Sequence, residues 1–581
     1  MDKKLIRKII IFFTIILVIS NISTTSLSQN QILNKKKHPN IESNPISSSY
    51  NNTYQTSKSD IQIADVKGGL NLAVTVENKG SITYRNVEII IKIKGGILLT
   101  PRNKEYTIPL LTPNGEDRKY TLQNQLFGLS INTFNPLHIS LLLNNSGNPK
   151  VIGQIDSFLI GPYIKITNSM LNKENLYEGY NLFTPEYGKD IYLMDNSGDI
   201  VHKWDTHNIQ GMATYLLENG NIIRTDFRKI NPNFPSGGIT GHAAIYDPNG
   251  THVWDFIYSN KTHCLHHDIE PLPNGNFLMS AWEIKTYDEL IEAGRNPDTF
   301  KNRIFSDHII EVKPKGRFDY EIVWEWNVWD HLIQDYDETK DNYGVVADHP
   351  ELIDINYGES GSDFTHINSI DYNEELNQIL LSVREFNEIW VIDHSTTTEE
   401  AANHSGGKYG NGGDLLYRWG NPAAYRKGDE EDQQLFNQHD ATWIEDNCPG
   451  SGNILIFNND NPSIDESNPN LHYSSVIEIT PPVDIQGNYI KIGPTFGPRK
   501  PTWSYMDEDN PHDFYSFHLS SAQRLPNGNT LMCEGNKGKF TEVTEDKEIV
   551  WQYTNPYGTP NHVFKIHRYS PDHPGIQSLL K

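Results

Sequence analysis

The chain is 581 residues long, which is enough for more than one domain and for a large buried core. Its 49 basic and 74 acidic side chains give a formal net charge of −25, so nucleic acids and anionic membrane surfaces are poor partners. The cysteines are Cys264, Cys448 and Cys533, which allow at most one disulfide and do not favour a thiolate zinc cluster. Abundant aromatic residues, 29 Tyr, 22 Phe and 11 Trp, with Gly and Pro spread along the chain, favour an all-β protein with many turns.

The first segment has the composition of an export signal. Its basic residues are Lys3, Lys4, Arg7 and Lys8. They precede the apolar run Ile9–Ile19, which is shorter than the roughly 20 residues of a membrane-spanning helix. Residues 1–28 are therefore predicted to be a cleaved signal peptide, with an uncleaved N-terminal anchor as the alternative and the only expected membrane contact. Both interpretations place the body of the protein outside the cytoplasm, secreted or at the cell surface. Residues 29–60, rich in Asn, Ser and Lys, are predicted to be a disordered linker.

Residues 61–165 show short alternating strands separated by turn residues. The predicted strands include Leu70–Val76, Val87–Ile93, Tyr106–Leu111 and Leu137–Leu143. This pattern predicts a small immunoglobulin-like β-sandwich. No catalytic cluster occurs in it, so a role as a spacer or packing module is expected.

A strand carrying tryptophan recurs six times in residues 170–581. These tryptophans are Trp204, Trp254, Trp326, Trp419, Trp503 and Trp551. Most of these strands follow a second strand and, before it, an inner pair joined by a turn rich in Asn and Gly. Four strands in each of six units predict a six-bladed β-propeller.

The repeat also predicts how the propeller closes. The first tryptophan strand has no inner pair in front of it, so Val563–Tyr569 is predicted to supply strands to that blade and leave no open sheet edge. The longer spacings at 285–306, 327–362 and 394–413 predict insertions that form loops over one face.

Three histidines occupy one position of the repeat. His267, His366 and His439 each stand at the start of a predicted innermost strand, and Arg384 follows one strand after His366. In a propeller these positions converge on the central channel. For each histidine taken alone, the alternative is a structural role at the start of a strand. Met212 and Ser520 fill the same position in other units, so the repeat itself does not require a histidine there. We therefore predict a single site. His266 is a weaker candidate for this site, because adjacent residues of a strand point to opposite faces of the sheet.

The motifs around these residues resemble those of the bacterial arylsulfate sulfotransferases over roughly residues 170–570. They are His266-His267-Asp268, Asp363 with His366, Asn368 and Ser369, Ser382 with Arg384, and Gln438 with His439 and Ala441. The resemblance implies an enzyme that moves a sulfuryl group from an aryl sulfate to a phenolic acceptor by a ping-pong mechanism, without the nucleotide donor PAPS. One departure is that Cys448 has no nearby partner for the disulfide often found near the active site in that family.

By the resemblance, His439 would be the transiently sulfated nucleophile. The chemistry of sulfuryl transfer suggests the other roles: the planar, charged guanidinium of Arg384 would bind two sulfate oxygens, His366 would support the same oxygens, and His267 would handle the phenolic proton. The residues expected to contact substrate are Asn368, His266 and Gln438. No metal and no cofactor are expected. The partners would be a small aryl sulfate and a phenol, with a homodimer left open.

Two other functions remain at this point. Several channel histidines could hold iron or zinc in a metal-dependent propeller enzyme, although the fixed charge of Arg384 argues against a cation there. A non-catalytic propeller that binds an anionic ligand or a partner protein also fits the same residues.

Overall fold

The computed structural model describes residues 60–581, apart from 131–135, 146–147, 172–174, 228–230, 359–360, 465–467 and 509. In this part of the chain there are 38 β-strands and three short α-helices, so the predicted all-β class is confirmed. The chain divides into two compact units. The first contains the described residues up to Val151 and Asp156–Lys165, and the second contains Ile152–Ile155 and Ile166–Lys581. The predicted signal or anchor and most of the predicted linker lie outside the described residues.

The first unit is built from short antiparallel strands with alternating burial. Its strands are β1 (Ile61–Lys67), β2 (Leu72–Asn78), β3 (Tyr84–Lys94), β4 (Ile97–Leu98), β5 (Asn103–Leu111), β6 (Lys119–Asn124), β7 (Gly128–Ser130), β8 (Leu137–Asn145) and β9 (Asn148–Gly161). Strands β1, β2 and β6 form one sheet, while β3 pairs with β5 and β8 in another. Leu72, Val74 and Val76 on β2 are fully buried, as a two-residue period requires. The four strands predicted here are present as β2, β3, β5 and β8.

In its described residues the second unit contains five separate antiparallel sheets of four strands and a sixth set of four antiparallel strands that is one end of a larger sheet; they are called sheets I to VI below. Sheet I is β11 (Tyr180–Pro185), β12 (Asp190–Asp195), β13 (Ile200–Asp205) and β38 (Val563–Tyr569). Sheet II is β14 (Ile209–Leu216), β15 (Ile222–Phe227), β16 (Gly241–Tyr246) and β17 (His252–Ile257). Sheet III is β18 (His263–Pro271), β19 (Phe277–Thr286), β20 (Arg303–Gly316) and β21 (Asp319–Asn327).

Sheets IV to VI follow the same plan. Sheet IV is β24 (Ile367–Asn373), β25 (Gln378–Val383), β26 (Glu388–Asp393) and β27 (Tyr417–Trp419). Sheet V is β28 (His439–Trp443), β29 (Ile454–Asn461), β30 (Tyr473–Ile479) and β33 (Trp503–Tyr505). Sheet VI is β34 (Ser521–Arg524), β35 (Thr530–Glu534), β36 (Lys539–Val543) and β37 (Ile549–Thr554). The last residues of β10 (Tyr163–Met170) pair with β37 at the outer edge of sheet VI.

The six tryptophans predicted to mark the repeat all lie on the outermost of the four strands, on β13, β17, β21, β27, β33 and β37. In five of the six, all except Trp204, the ring N–H donates to a backbone carbonyl outside its own strand. Trp551 donates to the carbonyl of Asn196 at 2.9 Å, and Trp326 donates to that of Gly413 at 2.7 Å. A large ring with one donor suits a position that is apolar on its faces and needs one polar contact.

Strand β38 completes sheet I, as the repeat count predicts. It pairs with β11, so that Tyr180 lies opposite Tyr569 and Leu182 opposite His567. The expectation that the first tryptophan strand has no inner strands before it was wrong, since β11 and β12 precede it. The segment 563–569 therefore supplies one strand, the innermost one.

The innermost strands contact one another in a closed order: β14 with β18, then β24, β28, β34, β38 and again β14. A buried cation lies among them, because Lys565 on β38 contacts Asp268 at 2.7 Å and Asp440 at 2.6 Å. These carboxylates also accept the backbone N–H groups of Ile370 and Ala522. Breaking a buried ion pair of this kind costs about 3–5 kcal/mol, so the triad ties sheets I, III and V together.

The predicted insertions contain most of the remaining structure. Helix α1 (Tyr287–Glu292) lies in 285–306, the parallel pair β22 (Leu332–Ile333) and β23 (Ile353–Asp354) in 327–362, and α2 (Thr398–Ala401) in 394–413. The pair β31 (Lys491–Ile492) and β32 (Thr495–Phe496) and helix α3 (Pro574–Leu579) complete the elements. Within the described residues, no helix has the length and apolar character needed to cross a membrane. All three cysteines are described, buried and free.

Candidate active site

The three predicted histidines lie in or beside β-bulges of the innermost strands of neighbouring sheets, with His366 directly before β24. The strand registers shift between Leu265 and Ile269 on β18, between Ile367 and Ser369 on β24, and between His439 and Thr442 on β28. The backbone takes left-handed angles at these bulges, with φ of 47° at His267, 52° at His366 and 52° at Asp440. Such strained positions in residues other than glycine turn side chains out of the normal alternation and concentrate at functional sites.

His366 forms an acid–base pair with Asp363. Its Nδ1 lies 2.7 Å from Oδ2 of Asp363, which also accepts the hydroxyl of Ser236 at 2.6 Å. Burial by itself lowers the pKa of His366, but the Asp363 carboxylate outweighs it and the pKa is raised above its ordinary value of 6.5. The ring is therefore held with Nδ1 on the carboxylate and favours the cationic, proton-donating form.

His267 lies directly beside His366, with ring centroids 4.6 Å apart. Burial and then the charges of His366 and His266 hold its pKa well below the ordinary value, so it is neutral. Its Nδ1 is 2.9 Å from Nδ1 of His266, and the other ring nitrogen of His266 is 2.6 Å from Asp307. Since two ring nitrogens in contact must share one hydrogen, His266 and Asp307 set the tautomer of His267. Gly238 packs on the ring, where an added Cβ would lie 1.9 Å from His267 Cε1.

His439 is oriented by two acceptors. Its Nδ1 lies 3.0 Å from Oδ1 of Asn459 and 3.1 Å from the carbonyl of Asn437. The amide of Asn459 is fixed because its Nδ2 donates to the carbonyls of Ser516 and Leu519. Both partners of Nδ1 accept, so Nδ1 carries the hydrogen and Nε2 keeps its lone pair. Burial and then the Arg384 charge hold the pKa of His439 well below its ordinary value. A neutral ring with a free Nε2 is a competent nucleophile.

Arg384 begins a short 3-10 helix, Arg384–Phe386, directly after β25. Its backbone N–H donates to the carbonyl of His366 at 3.3 Å, and one guanidinium nitrogen contacts Glu385. The side chain is 27% exposed, and its charge acts on His267, His366 and His439 alike. A planar cation beside three histidines suits an anion with several oxygens.

The other predicted contact residues are bonded to the protein. The amide of Asn368 donates to the carbonyl of Gln438 at 2.8 Å, and the amide of Gln438 donates to the carbonyl of Glu388 at 2.8 Å. Both side chains are fully buried. His266 faces Asp307 and stacks on Trp282 at 4.0 Å. The structure therefore brings His267, His366, His439 and Arg384 together, and the amide nitrogens of Asn368 and Gln438 and the ring of His266 contact other groups of the protein.

Sequence reasoning missed three residues that shape this site: Asn459, Asp307 and His518. The pKa of His518 is lowered to about 4 by burial, by His562 and then by Arg384, and its Nδ1 accepts from the amide of Asn536 at 2.8 Å. His518 stands two residues before Ser520, which the repeat had already marked as the equivalent position in sheet VI. Its position two residues before Ser520 could have identified His518 from the sequence.

The described side chains contain two groups of three metal-ligating residues, and neither includes His267, His366 or His439. The positive charges at the site come from Arg384 and His366, and the negative charges come from Asp363, Asp307 and Glu385.

Solved structures give only weak similarity. A protein of unknown function from Bacteroides caccae is 11% identical, with a TM-score of 0.36 over 67% of this chain and 98% of that one. Apo AztD from Citrobacter koseri is 8% identical, with a TM-score of 0.26 over 84% and 98% of the two chains. These values carry no argument about fold or function. A comparison with curated proteins gives no match. The family comparison is specific: residues 164–570 match the model for arylsulfotransferase (ASST), and the chain therefore belongs to the arylsulfotransferase family.

Proposed function

We propose that this protein transfers a sulfuryl group from an aryl sulfate ester to a phenol through a sulfohistidine at His439, without PAPS. We propose further that sheets I to VI are the blades of a six-bladed β-propeller and that the first unit is an immunoglobulin-like sandwich. The closed order of the innermost strands supports the propeller, since it is the order expected around a central channel. The family membership supports the reaction class.

The first half-reaction uses the lone pair of His439 Nε2. It attacks sulfur, the N–S bond forms, and the S–O bond to the aryl group breaks with its electron pair on the phenolic oxygen. Sulfuryl transfer resembles phosphoryl transfer, in which charge spreads over the equatorial oxygens. Arg384 would stabilise those oxygens, and the proton for the leaving phenolate would come from His366. The sequence prediction gave that proton to His267, but the raised pKa of His366 and the lowered pKa of His267 favour His366.

The second half-reaction reverses these steps. Neutral His366 takes the proton of the incoming phenol, the phenol oxygen attacks sulfur, and the N–S bond breaks with its electrons returning to His439. The Nδ1–H of His439 is important here because it keeps the sulfated ring an imidazolium, so that the group that departs from sulfur is neutral imidazole, a good leaving group. Asn459 and the carbonyl of Asn437 are neutral acceptors and do not remove that proton.

The observation that carries the proposal is the neutral His439 with its Nδ1–H fixed and Nε2 free beside Arg384. The experiment is to incubate purified protein with a chromogenic aryl sulfate and follow release of the chromophore with and without a phenol. Acceptor-dependent release with formation of the new aryl sulfate supports the transfer. Tight binding of the sulfate ester without any release would identify the non-catalytic binder instead.

Asp363→Asn is expected to lower the pKa of His366, because an amide does not stabilise the imidazolium. The folded-state pKa of His366 is raised, so activity that needs its cation is present below that pKa and is lost as pH rises through it. The alkaline limb of the kcat–pH profile should therefore move to lower pH in the variant. The exposed Asp298→Asn is the matched control. An alkaline limb that stays in place would remove His366 from the role of proton donor.

Activity is expected to persist in a chelator and to need no added PAPS, because Arg384 and His366 supply the positive charge that a metal ion would. The measurement is turnover of the aryl sulfate by protein dialysed against a chelator, compared with undialysed protein. Loss of turnover that one particular metal ion restores would favour the metal-dependent alternative.

We also propose an extracytoplasmic location. The basic N-terminal residues followed by the apolar run Ile9–Ile19 support it. Cell fractionation tests this location, and full-length soluble protein in the cytosol would contradict it.

A further inference from the structure

A second cluster of potential ligands lies outside the candidate active site, where two insertions meet. His331 ends a short 3-10 helix after β21, His404 follows α2, and Asp414 precedes β27. Nδ1 of His331 and Nδ1 of His404 each lie 2.8 Å from the same oxygen, Oδ1 of Asp414. Two residues from 394–414 thus converge with one from 327–362.

The hydrogen-bond roles in this cluster require a cation. Nε2 of His331 lies 2.9 Å from the carbonyl of Ala401, and a carbonyl can only accept, so Nε2 carries the hydrogen. In the neutral ring Nδ1 then holds a lone pair that faces the Asp414 carboxylate, although both are acceptors. The His331 side chain is fully buried and that of Asp414 is 8% exposed, so water does not relieve the contact. Either a proton or a metal ion must lie between the two groups.

We propose that His331, His404 and Asp414 bind one zinc ion. Two imidazole nitrogens and one carboxylate oxygen are a donor set that zinc accepts, and a histidine ligand that donates its other N–H to a backbone carbonyl is the usual outer-shell arrangement. Ala401 fills that outer position for His331. Zinc bonds of about 2.0–2.2 Å in a tetrahedron separate ligand atoms by about 3.3 Å, so the cluster must open by about 0.5 Å.

The surroundings permit that opening and supply a fourth ligand. The His404 side chain is 61% exposed, so its ring can move, whereas His331 is held by stacking on Trp326 at 5.5 Å. His404 also lines a cavity of about 560 Å³ together with Asp330 and His349. A water molecule from that cavity can complete the coordination, which leaves one position open to solvent.

The second group of potential ligands is not suited to a metal ion. Asp226, His242 and His252 also lie close together, but Arg224 forms an ion pair with Asp226 inside the same buried group. A fixed guanidinium beside the carboxylate already neutralises it and repels a metal ion. Among the described residues, Asp414 pairs with the two histidines and with no lysine or arginine.

The zinc would join two insertions that share no sheet among the residues the structure describes. Gly413 makes the approach possible, because an added Cβ there would lie 2.0 Å from the Ala401 carbonyl oxygen and 2.7 Å from His331 Nε2. None of the three ligands belongs to the candidate active site, so the ion is expected to stabilise the folded chain without taking part in sulfuryl transfer. Failure of this proposal would leave the proposed function unchanged.

The test uses full-length protein freed of metal by a chelator and then titrated with zinc chloride. Calorimetry should show one tight site, and the melting temperature should rise with zinc because only the folded chain presents the three ligands together. His404→Ala is expected to weaken zinc binding by more than about 100-fold, since even outer-shell changes cost about 10- to 100-fold. His349→Ala in the same cavity is the matched control and should bind as the wild type does.

Asp414→Asn provides a second variant that should also lose both the binding and the zinc-dependent rise in melting temperature. The exposed position of His404 makes its alanine variant the one least able to disturb folding. Wild-type protein without a stoichiometric zinc site would show that a proton alone occupies the cluster and would overturn the proposal. Equal zinc affinity in wild type and His404→Ala would overturn it as well, by placing the ion elsewhere.

Discussion

Replacing His439 with alanine or asparagine is expected to abolish both turnover and covalent labelling. Nε2 of His439 offers a free lone pair on a ring that Asn459 fixes and that burial and Arg384 keep neutral. Removing the nucleophile of a covalent catalyst typically costs about 10⁴- to 10⁶-fold in rate. Wild-type protein incubated with sulfur-labelled aryl sulfate and no acceptor should retain the label after rapid mixing and lose it in acid, whereas both variants should take up none.

The matched control for this experiment is His138→Ala, an exposed histidine in the first unit that pairs with Asp156. It should label and turn over as the wild type does. Melting curves of the His439 variants establish that they fold. A folded variant that still forms an acid-labile label would place the nucleophile elsewhere, and His366 would be the next residue to test.

Arg384→Ala and Arg384→Lys are both expected to fold normally and to lose most of the turnover. In the proposed reaction the guanidinium contacts two sulfate oxygens whose charge is stabilised in the transition state. Removing one preorganised donor of this type costs about 100- to 1000-fold in rate. Lysine keeps the charge but loses the planar fork, so it should recover only part of the loss. Turnover and melting temperature measured on the same samples decide the result.

A structural role for Arg384 predicts the opposite pattern. Arg384→Lys would then have little effect on turnover, and Arg384→Ala would lower the melting temperature while its folded fraction stayed active. Arg426→Lys is the matched control, because Arg426 is a partly exposed arginine paired with Asp354 and is remote from the histidines in sequence and contacts. A fully active Arg384→Lys would show that no bidentate contact to sulfate is made.

The sheets could be predicted from the sequence because their signals are local. Each tryptophan strand and each Asn-Gly turn is determined by a few adjacent residues, and their recurrence shows where one unit follows another. The first unit's strands were found for the same reason. The hairpin of β11 and β12 was missed because Tyr180–Pro185 and Asp190–Asp195 lack the turn signature that marks the other pairs. Strands can therefore be predicted wherever turn residues mark their ends.

The site could be predicted only in part, because the direction of each side chain depends on the local backbone conformation, which the sequence repeat does not reveal. The histidines were found by their shared position, but the bulges at His267 and His366 were not. Those bulges explain why His266, directly adjacent to His267, still reaches it through Nδ1. Asn459 orients His439 from 20 residues away on the paired strand β29, and Asp307 orients His266 from 41 residues away on β20, two strands across sheet III, so no short motif contains both members.

The pairing of β38 with β11 has a consequence for the order in which the protein can assemble. Arg568 on β38 donates to Asn181 on β11 across 387 positions of the chain. Loop closure over such a distance is slow, and it cannot begin before the ribosome has added those late residues. Lys565 belongs to the same strand and ties Asp268 and Asp440, the neighbours of two of the site histidines. A nascent chain should therefore stay inactive until the ribosome has added residues 563–569, and the pairing of β38 is the step that completes the site.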